Sequence, residues 1–271
     1  MTTEFLAREG GQVSYEDSHS QGPLVVLMAP EGSLRTVYRF LSPKIVEAGY
    51  RVVALDLRGH GQSSTGFADY SIAAHGRDAL ALVKQLDAGP AFLVGNSFSG
   101  GVAVWASVEE PEVVKGIVLI GSFVREPNPI LVLTNKLFLL PAFWGFWGAW
   151  VWMSDYPKMY PHRKPDDFAD HIAATKRMMK ERGRTAALRA VLNAAKDDAE
   201  SRLGSVTAPA LVIMGDADPE FSSPMDEATF QAEAINASKV LIAGGGHHPQ
   251  ADTPEEVASA LIGFLKEHAA T

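Results

Sequence analysis

The chain has 271 residues, of which 46% are hydrophobic and 21% are charged, a composition typical of a globular protein with a sizeable core. It carries 24 Lys and Arg against 32 Asp and Glu, and this net charge of −8 argues against nucleic-acid binding, because phosphate contacts need a basic face. Cysteine is absent, which excludes disulfides, thiolate metal sites and a cysteine nucleophile.

In chain order, short apolar runs alternate with longer helical patterns, which is typical of βαβ units in an α/β fold. Leu24–Met28 is a continuous apolar run, as expected for a strand that is buried on both faces of a parallel sheet. Residues 12–15 alternate only weakly and are predicted as an edge strand, and Ser71 is predicted as the N-cap of a helix that reaches Leu86. The predicted strands are residues 12–15, 24–28, 51–55, 91–94, 113–120, 210–214 and 239–242, and the predicted helices are residues 37–48, 72–86, 98–108, 167–180, 184–196 and 254–268.

A long stretch separates the strand that ends at residue 120 from the strand that begins at residue 210. It is too long for a loop, and it contains helical patterns of its own. We therefore predict a helical cap, residues 125–203, inserted into a core domain that consists of residues 1–124 and 204–271.

Residues 137–153, inside the predicted cap, carry no charge and hold four of the five tryptophans. Three interpretations stay open: an aromatic wall of the substrate pocket, packing between cap and core, and interfacial contact with a membrane. Stable membrane insertion is not expected, because the segment is short and contains Pro141. Trp144 and Trp147 are spaced for one helical face and are the candidate substrate-binding residues.

Residues 95–99 read Gly-Asn-Ser-Phe-Ser and join a predicted strand to a predicted helix. A serine at such a sharp turn is lifted out of the sheet, and the turn needs small neighbours, here Gly95 and Ser99. The N-terminus of the helix favours the negative charge that develops during attack on a carbonyl. Ser97 is therefore the candidate nucleophile; the alternative is a glycine-rich turn without a chemical role.

A serine nucleophile needs a base, and the base needs an acid that orients it. His247 lies in a glycine-rich loop after the last predicted strand, where an open parallel sheet places its functional groups, and it is the candidate base. His248 is the alternative base. Asp218 follows the strand at residues 210–214 and is the candidate acid, with Asp216 as an alternative that instead stabilises the turn.

The order Ser, Asp, His and the motifs around these residues resemble the α/β-hydrolase superfamily. Residues 58–63 (Arg-Gly-His-Gly-Gln-Ser) are similar to a turn of that family, residues 95–100 to its nucleophile elbow, residues 212–219 to its acid turn and residues 244–250 to its base loop. The resemblance implies a mostly parallel sheet of about eight strands flanked by helices, with an inserted cap, and it implies no cofactor and no metal. His60, in the first motif, is interpreted as a turn residue.

The resemblance also implies acyl transfer, because related dehalogenases and epoxide hydrolases carry aspartate where this chain carries Ser97. We expect a serine hydrolase that cleaves a carboxylic ester of a small-to-medium, largely apolar molecule. Lactone cleavage, thioester cleavage and the perhydrolysis of cofactor-free haloperoxidases stay open. A catalytically weak ligand receptor of the same fold is the alternative from another functional class.

The loop after the third strand departs from the family pattern. Family members place His-Gly there, and the next residue donates one oxyanion N–H, but this chain has Ala29-Pro30 at that place. The backbone N–H groups of Glu31 and Phe98 are therefore the predicted oxyanion hole, whereas a shift of one residue would use Pro30, which has no N–H. Because a carboxylate is unfavourable beside an oxyanion, we expect the Glu31 side chain to face solvent; the alternative is a contact with a cationic or hydroxyl-bearing substrate.

The expected partner is a small ester-type molecule, with no nucleic acid and no stable membrane insertion. The first nine residues show no cationic head followed by an apolar run, so no signal peptide is predicted. We expect a cytoplasmic location.

Overall fold

The computed structural model describes residues 2–125, 141 and 147–269 of the chain, and they contain one eight-stranded sheet with helices on both faces. The strands are β1 (Thr3–Arg8), β2 (Gly11–Asp17), β3 (Leu24–Met28), β4 (Arg51–Leu55), β5 (Ala91–Asn96), β6 (Val114–Ile120), β7 (Ala210–Gly215) and β8 (Ser238–Ile242). Their order in the sheet is β1-β2-β4-β3-β5-β6-β7-β8. The pairs β1–β2 and β2–β4 are antiparallel and the other neighbours are parallel, which confirms the predicted fold class.

The predicted helices are present, but the one predicted at residues 37–48 begins only at Leu41 and the one predicted at residues 184–196 ends at Leu192. The helices of the described residues are α1 (Leu41–Glu47), α2 (Ile72–Leu86), α3 (Phe98–Glu109), α4 (Trp147–Asp155), α5 (Phe168–Met179), α6 (Arg184–Leu192), α7 (Asp197–Glu200), α8 (Pro224–Ala234), α9 (Pro249–Asp252) and α10 (Pro254–Ala269). The Ala74 N–H donates to Ser71 Oγ at 3.1 Å, so Ser71 caps α2 as predicted. None of these helices combines the length and the apolar character that crossing a bilayer requires.

Five elements of the structure were not predicted: the strand β1 and the helices α4, α7, α8 and α9. The strand β1 pairs with β2 along its whole length and forms the edge of the sheet. The prediction that residues 12–15 form an edge strand is therefore wrong, because they belong to the second strand. In β1 only Leu6 is fully buried, so the strand shows little apolar pattern. The helix α8 buries only Ala228, Gln231 and Ala232, and this stripe is too short and too polar to be recognised as a helix face.

The core lies in two layers, one on each face of the sheet. Val26 and Met28 of β3 belong to the layer that packs against α2 and α3, whereas Val25 and Leu27 belong to the layer under α1 and α10. Because successive side chains of a strand point to opposite faces, a strand covered on both sides has to be apolar at every position. This explains the continuous apolar runs in the sequence.

The carboxyl ends of the parallel strands meet at one edge of the sheet. Met28 is in register with Gly95, Asn96 with Ile120, and Gly215 with Ile242. The segments that follow β3, β5, β7 and β8 therefore leave the sheet side by side, and these loops and the first residue of α3 carry every residue of the predicted site except the two tryptophans. Helices α4 to α7 lie between β6 and β7 in the chain. The division into a core and a cap at residues 125–203 stays a prediction.

Candidate active site

Ser97 stands at the junction of β5 and α3 in a conformation that is rare for a residue with a side chain. Its φ is 59° and its ψ is −125°, and the side chain is almost completely buried. The turn is tight: a Cβ at Gly95 would overlap the backbone of Ser99, and a Cβ at Gly100 would overlap the side chain of Ser122. The small residues of the elbow are therefore needed for close packing, as the sequence predicted.

The structure brings Ser97, His247 and Asp218 together, although they are far apart in the chain. His247 Nε2 lies 2.9 Å from Ser97 Oγ, and His247 Nδ1 lies 2.8 Å from Asp218 Oδ2. All three side chains are buried. The other oxygen of Asp218 accepts the Glu220 N–H at 2.9 Å, which fixes the carboxylate. This is the geometry in which an imidazole can take the serine proton while a carboxylate holds its other nitrogen.

The alternative acid and base have different contacts. Asp216 is exposed, and its Oδ1 accepts the Gly244 N–H at 2.7 Å, so it joins two loops and stabilises the turn. His248 turns away from Ser97, and its Nδ1 lies 2.7 Å from the Asn96 Oδ1. Geometry therefore favours Asp218 and His247 over their neighbours.

Asn96, which sequence analysis did not single out, ties the elbow to the base loop. Its amide nitrogen donates to the His247 carbonyl at 3.1 Å and to the Ile120 carbonyl at 2.8 Å. Its amide oxygen accepts from His248 Nδ1 and from Gln250 Nε2 at 2.9 Å. Asn96 is completely buried and its hydrogen bonds are satisfied. Because it directly precedes Ser97, these bonds fix the elbow against the loop that carries His247. Its position next to the serine in the motif was the only signal in the sequence.

The charges around His247 favour its protonated form. Burial lowers the pKa of His247, but the charge of Asp218 and its hydrogen bond, followed by the charges of Glu220 and Glu31, raise this pKa to about 9. The pKa of Glu220 is also raised, mainly because protein surrounds its carboxylate, although the residue as a whole is exposed to solvent. His247 opposes this increase in pKa, whereas the charges of Asp218 and Glu31 add to it. The site is therefore rich in negative charge around one imidazole.

The Glu31 side chain is not where the sequence led us to expect it. Instead of facing solvent, it is 9% exposed, and its Oε2 accepts the Phe98 N–H at 3.1 Å. The N–H that was predicted to bind the oxyanion is therefore bound to a carboxylate of the same chain. The physical reason is that Phe98 is the first residue of α3, where unpaired N–H groups and the helix dipole attract an anion. The assignment of the Glu31 N–H to the oxyanion hole stays a prediction.

The tryptophans of the uncharged segment have different surroundings. Trp144 lies outside the described residues. Trp147 is 58% exposed on α4, where it packs edge to face with Trp150, and its assignment to the substrate pocket stays a prediction. Trp152, which was not singled out, is buried and donates its ring N–H to the Gly32 carbonyl at 2.8 Å. It is the tryptophan that holds the loop of Glu31.

The chain belongs to the alpha/beta hydrolase family, whose model matches residues 19–260. It is 25% identical over 272 residues to 3-oxoadipate enol-lactonase 1 of Acinetobacter baylyi, an alignment that covers 96% of this chain and 95% of the relative. It is also 32% identical over 136 residues to an uncharacterized protein of Mycobacterium tuberculosis, covering 49% of this chain but 39% of that protein. The chain thus spans well under half the length of this relative.

Solved structures of the same fold include enzymes with different names. The bromoperoxidase of Bacillus anthracis superposes with a TM-score of 0.82 at 23% identity, covering 98% of this chain and 100% of that chain. A thermophilic esterase of Thermogutta terrifontis superposes with a TM-score of 0.78 at 22% identity, covering 99% and 100%. At these identities the likeness shows the fold alone, because one fold hosts many chemistries.

Proposed function

We propose that this protein is a serine hydrolase that cleaves a carboxylic ester of a small-to-medium, largely apolar molecule. The observation that carries the proposal is the chain of two hydrogen bonds from Ser97 Oγ through His247 to Asp218, at 2.9 and 2.8 Å. The family membership and the names of its relatives, an enol-lactonase and an esterase, agree with acyl transfer.

The proposed reaction uses the three side chains in two half-reactions. Ser97 Oγ attacks the ester carbonyl while its proton moves to His247 Nε2, and Asp218 stabilises the imidazolium. The Phe98 N–H stabilises the negative carbonyl oxygen once Glu31 has left it. The C–O bond to the alcohol then breaks, His247 returns the proton to the leaving alcohol, and Ser97 holds the acyl group. Water, deprotonated by His247, releases the carboxylic acid and restores the serine.

The test is covalent labelling of the folded protein with a fluorophosphonate, followed by mass spectrometry of the labelled peptide. We expect labelling at Ser97 and its loss in Ser97→Ala, together with loss of p-nitrophenyl butyrate turnover by about 10⁶-fold. Asp218→Asn should lower kcat by about 10⁴-fold, and Asp216→Asn is the matched control because it changes the same charge two residues away. Labelling elsewhere, or equal effects of the two aspartate changes, would contradict these roles.

A ligand receptor with weak catalysis is the second candidate, and one observation favours it. The carboxylate of Glu31 is bound to the N–H that an oxyanion needs, and loss of one such donor costs about 3 kcal/mol in transition-state stabilisation. A receptor would bind apolar esters without releasing alcohol, and Ser97 would resist labelling. The labelling rate therefore separates the two candidates. The cytoplasmic location stays a prediction.

A further inference from the structure

The Glu31 carboxylate is buried and acts on the imidazole of His247 through its charge, but it forms no direct ion pair with a cation of the described residues. Its hydrogen bond is the one from the Phe98 N–H, and the ion pairs of residues 2–125, 141 and 147–269 do not include it. A buried charge without a counterion is costly unless dipoles stabilise it, and here α3 supplies them. The carboxylate oxygen thus lies where the carbonyl oxygen of an ester has to bind if Ser97 is the nucleophile.

The backbone on both sides of Glu31 is held in place. Ser99 Oγ donates to the Ala29 carbonyl at 2.5 Å, and the ring N–H of Trp152 donates to the Gly32 carbonyl at 2.8 Å. The next residue, Ser33, is hydrogen-bonded to the hydroxyl of Tyr156 at 2.6 Å. A substrate therefore displaces the Glu31 side chain rather than the loop. Because the backbone of Glu31 stays in place, the displaced carboxylate remains within the reach of its own side chain from the scissile bond.

The other charges of the site do not balance Glu31. The imidazole of His247 is already paired with Asp218, and Glu220 adds a further negative charge that acts on the same imidazole. An ester that carries a positive charge close to its carbonyl gives Glu31 a counterion at the moment the Glu31 carboxylate leaves the Phe98 N–H. An ester that brings a negative charge meets the carboxylates of Glu31 and Glu220, neither of which forms an ion pair within the described residues.

We infer that Glu31 determines specificity: the protein selects esters or thioesters that carry a cation near the scissile carbonyl and rejects those that carry an anion there. This inference rests on the proposed function, because it assigns a substrate class to the same site. It also explains how a chain with a carboxylate on the oxyanion N–H can still catalyse acyl transfer. The cost of displacing Glu31 is offset by the new ion pair.

The test uses three thioesters of similar size that differ in charge. Butyrylthiocholine carries a permanent cation, S-(3,3-dimethylbutyl) thiobutyrate is its neutral isostere, and S-(2-sulfoethyl) thiobutyrate carries a permanent anion. Thiol release is measured with a disulfide reagent that reacts with free thiols. The protein itself does not react with this reagent, because it has no cysteine. We expect kcat/KM to fall in the order cation, neutral, anion, with about tenfold between neighbours for charges partly screened by solvent.

Two variants separate the effect of the Glu31 charge from the effect of its hydrogen bond with the Phe98 N–H. Glu31→Gln keeps a hydrogen-bond acceptor for the Phe98 N–H but removes the charge, so the spread in kcat/KM should shrink at least tenfold. Glu31→Ala also frees the N–H, so the spread should shrink and kcat/KM for the anionic thioester should rise. Glu112→Gln is the matched control, because Glu112 is exposed before β6, at the opposite edge of the sheet. Thermal unfolding of each variant checks that it is folded.

The outcomes are distinct. Wild-type protein that hydrolyses all three thioesters equally, or a spread that survives in Glu31→Gln, overturns the inference and leaves the serine hydrolase standing. No turnover of any thioester above that of Ser97→Ala overturns the proposed function and the inference with it. A spread that shrinks in Glu31→Gln but not in Glu112→Gln supports both.

Discussion

The pH dependence of ester hydrolysis follows from the charges around His247. The imidazole must be neutral to accept the serine proton, but its pKa is raised from 6.5 to about 9, which favours the protonated form by about 3 kcal/mol. At pH 7 only about one molecule in a hundred then has a neutral His247. We expect kcat/KM for a neutral ester to rise with pH up to an apparent pKa of about 9, since this parameter reports the free enzyme.

The assay is kcat/KM for p-nitrophenyl butyrate between pH 6 and pH 10, corrected with Ser97→Ala for spontaneous hydrolysis. Glu220→Gln should lower the apparent pKa, because it removes a negative charge that raises the pKa of His247. Glu112→Gln should leave the profile unchanged. Rates that level off below pH 7 in the wild type would refute the reasoning, as would identical profiles for the two glutamate variants.

Three further predictions concern the supports of the site and the core. Asn96→Ala removes the amide that holds the His247 carbonyl, so kcat should fall at least tenfold, whereas KM should change less and the apparent pKa of the pH profile should change little. An unchanged kcat would exclude a positioning role. Gly100→Ala places a Cβ on the Ser122 side chain and should cost about 1–3 kcal/mol, seen as a lower Tm that Ser122→Gly partly restores; additive effects of the two changes would contradict the steric explanation. Burial lowers the pKa of both His60 and His75 to about 4, so the unfolded chain binds more protons between pH 6.5 and 4 and stability should fall as the pH decreases through that range, by about 3 kcal/mol per histidine. Urea unfolding at pH 7 and pH 4.5 measures the last effect, and equal midpoints would contradict it.

The sequence alone predicted the features that depend on local pattern. The strands β3 to β7 were recognisable because burial on both faces demands continuous apolar runs, and α2 because Ser71 caps it. The candidate nucleophile was recognisable because a sharp turn requires small neighbours in consecutive positions. Ser97, Asp218 and His247 each follow a predicted parallel strand, and because the carboxyl ends of such strands meet at one edge of the sheet, the sequence predicted that these residues lie together.

Only the tertiary structure decided how side chains from distant segments meet. Asp216 and Asp218 have the same chemistry and differ by two positions, and the hydrogen bond to His247 distinguishes them. Asn96 shows its role only through contacts with the base loop. Glu31 and Phe98 are 67 positions apart, and no local pattern reports that one binds the N–H of the other. Such contacts depend on the register of neighbouring strands and the packing of their loops, which the sequence expresses through the whole fold rather than through a motif.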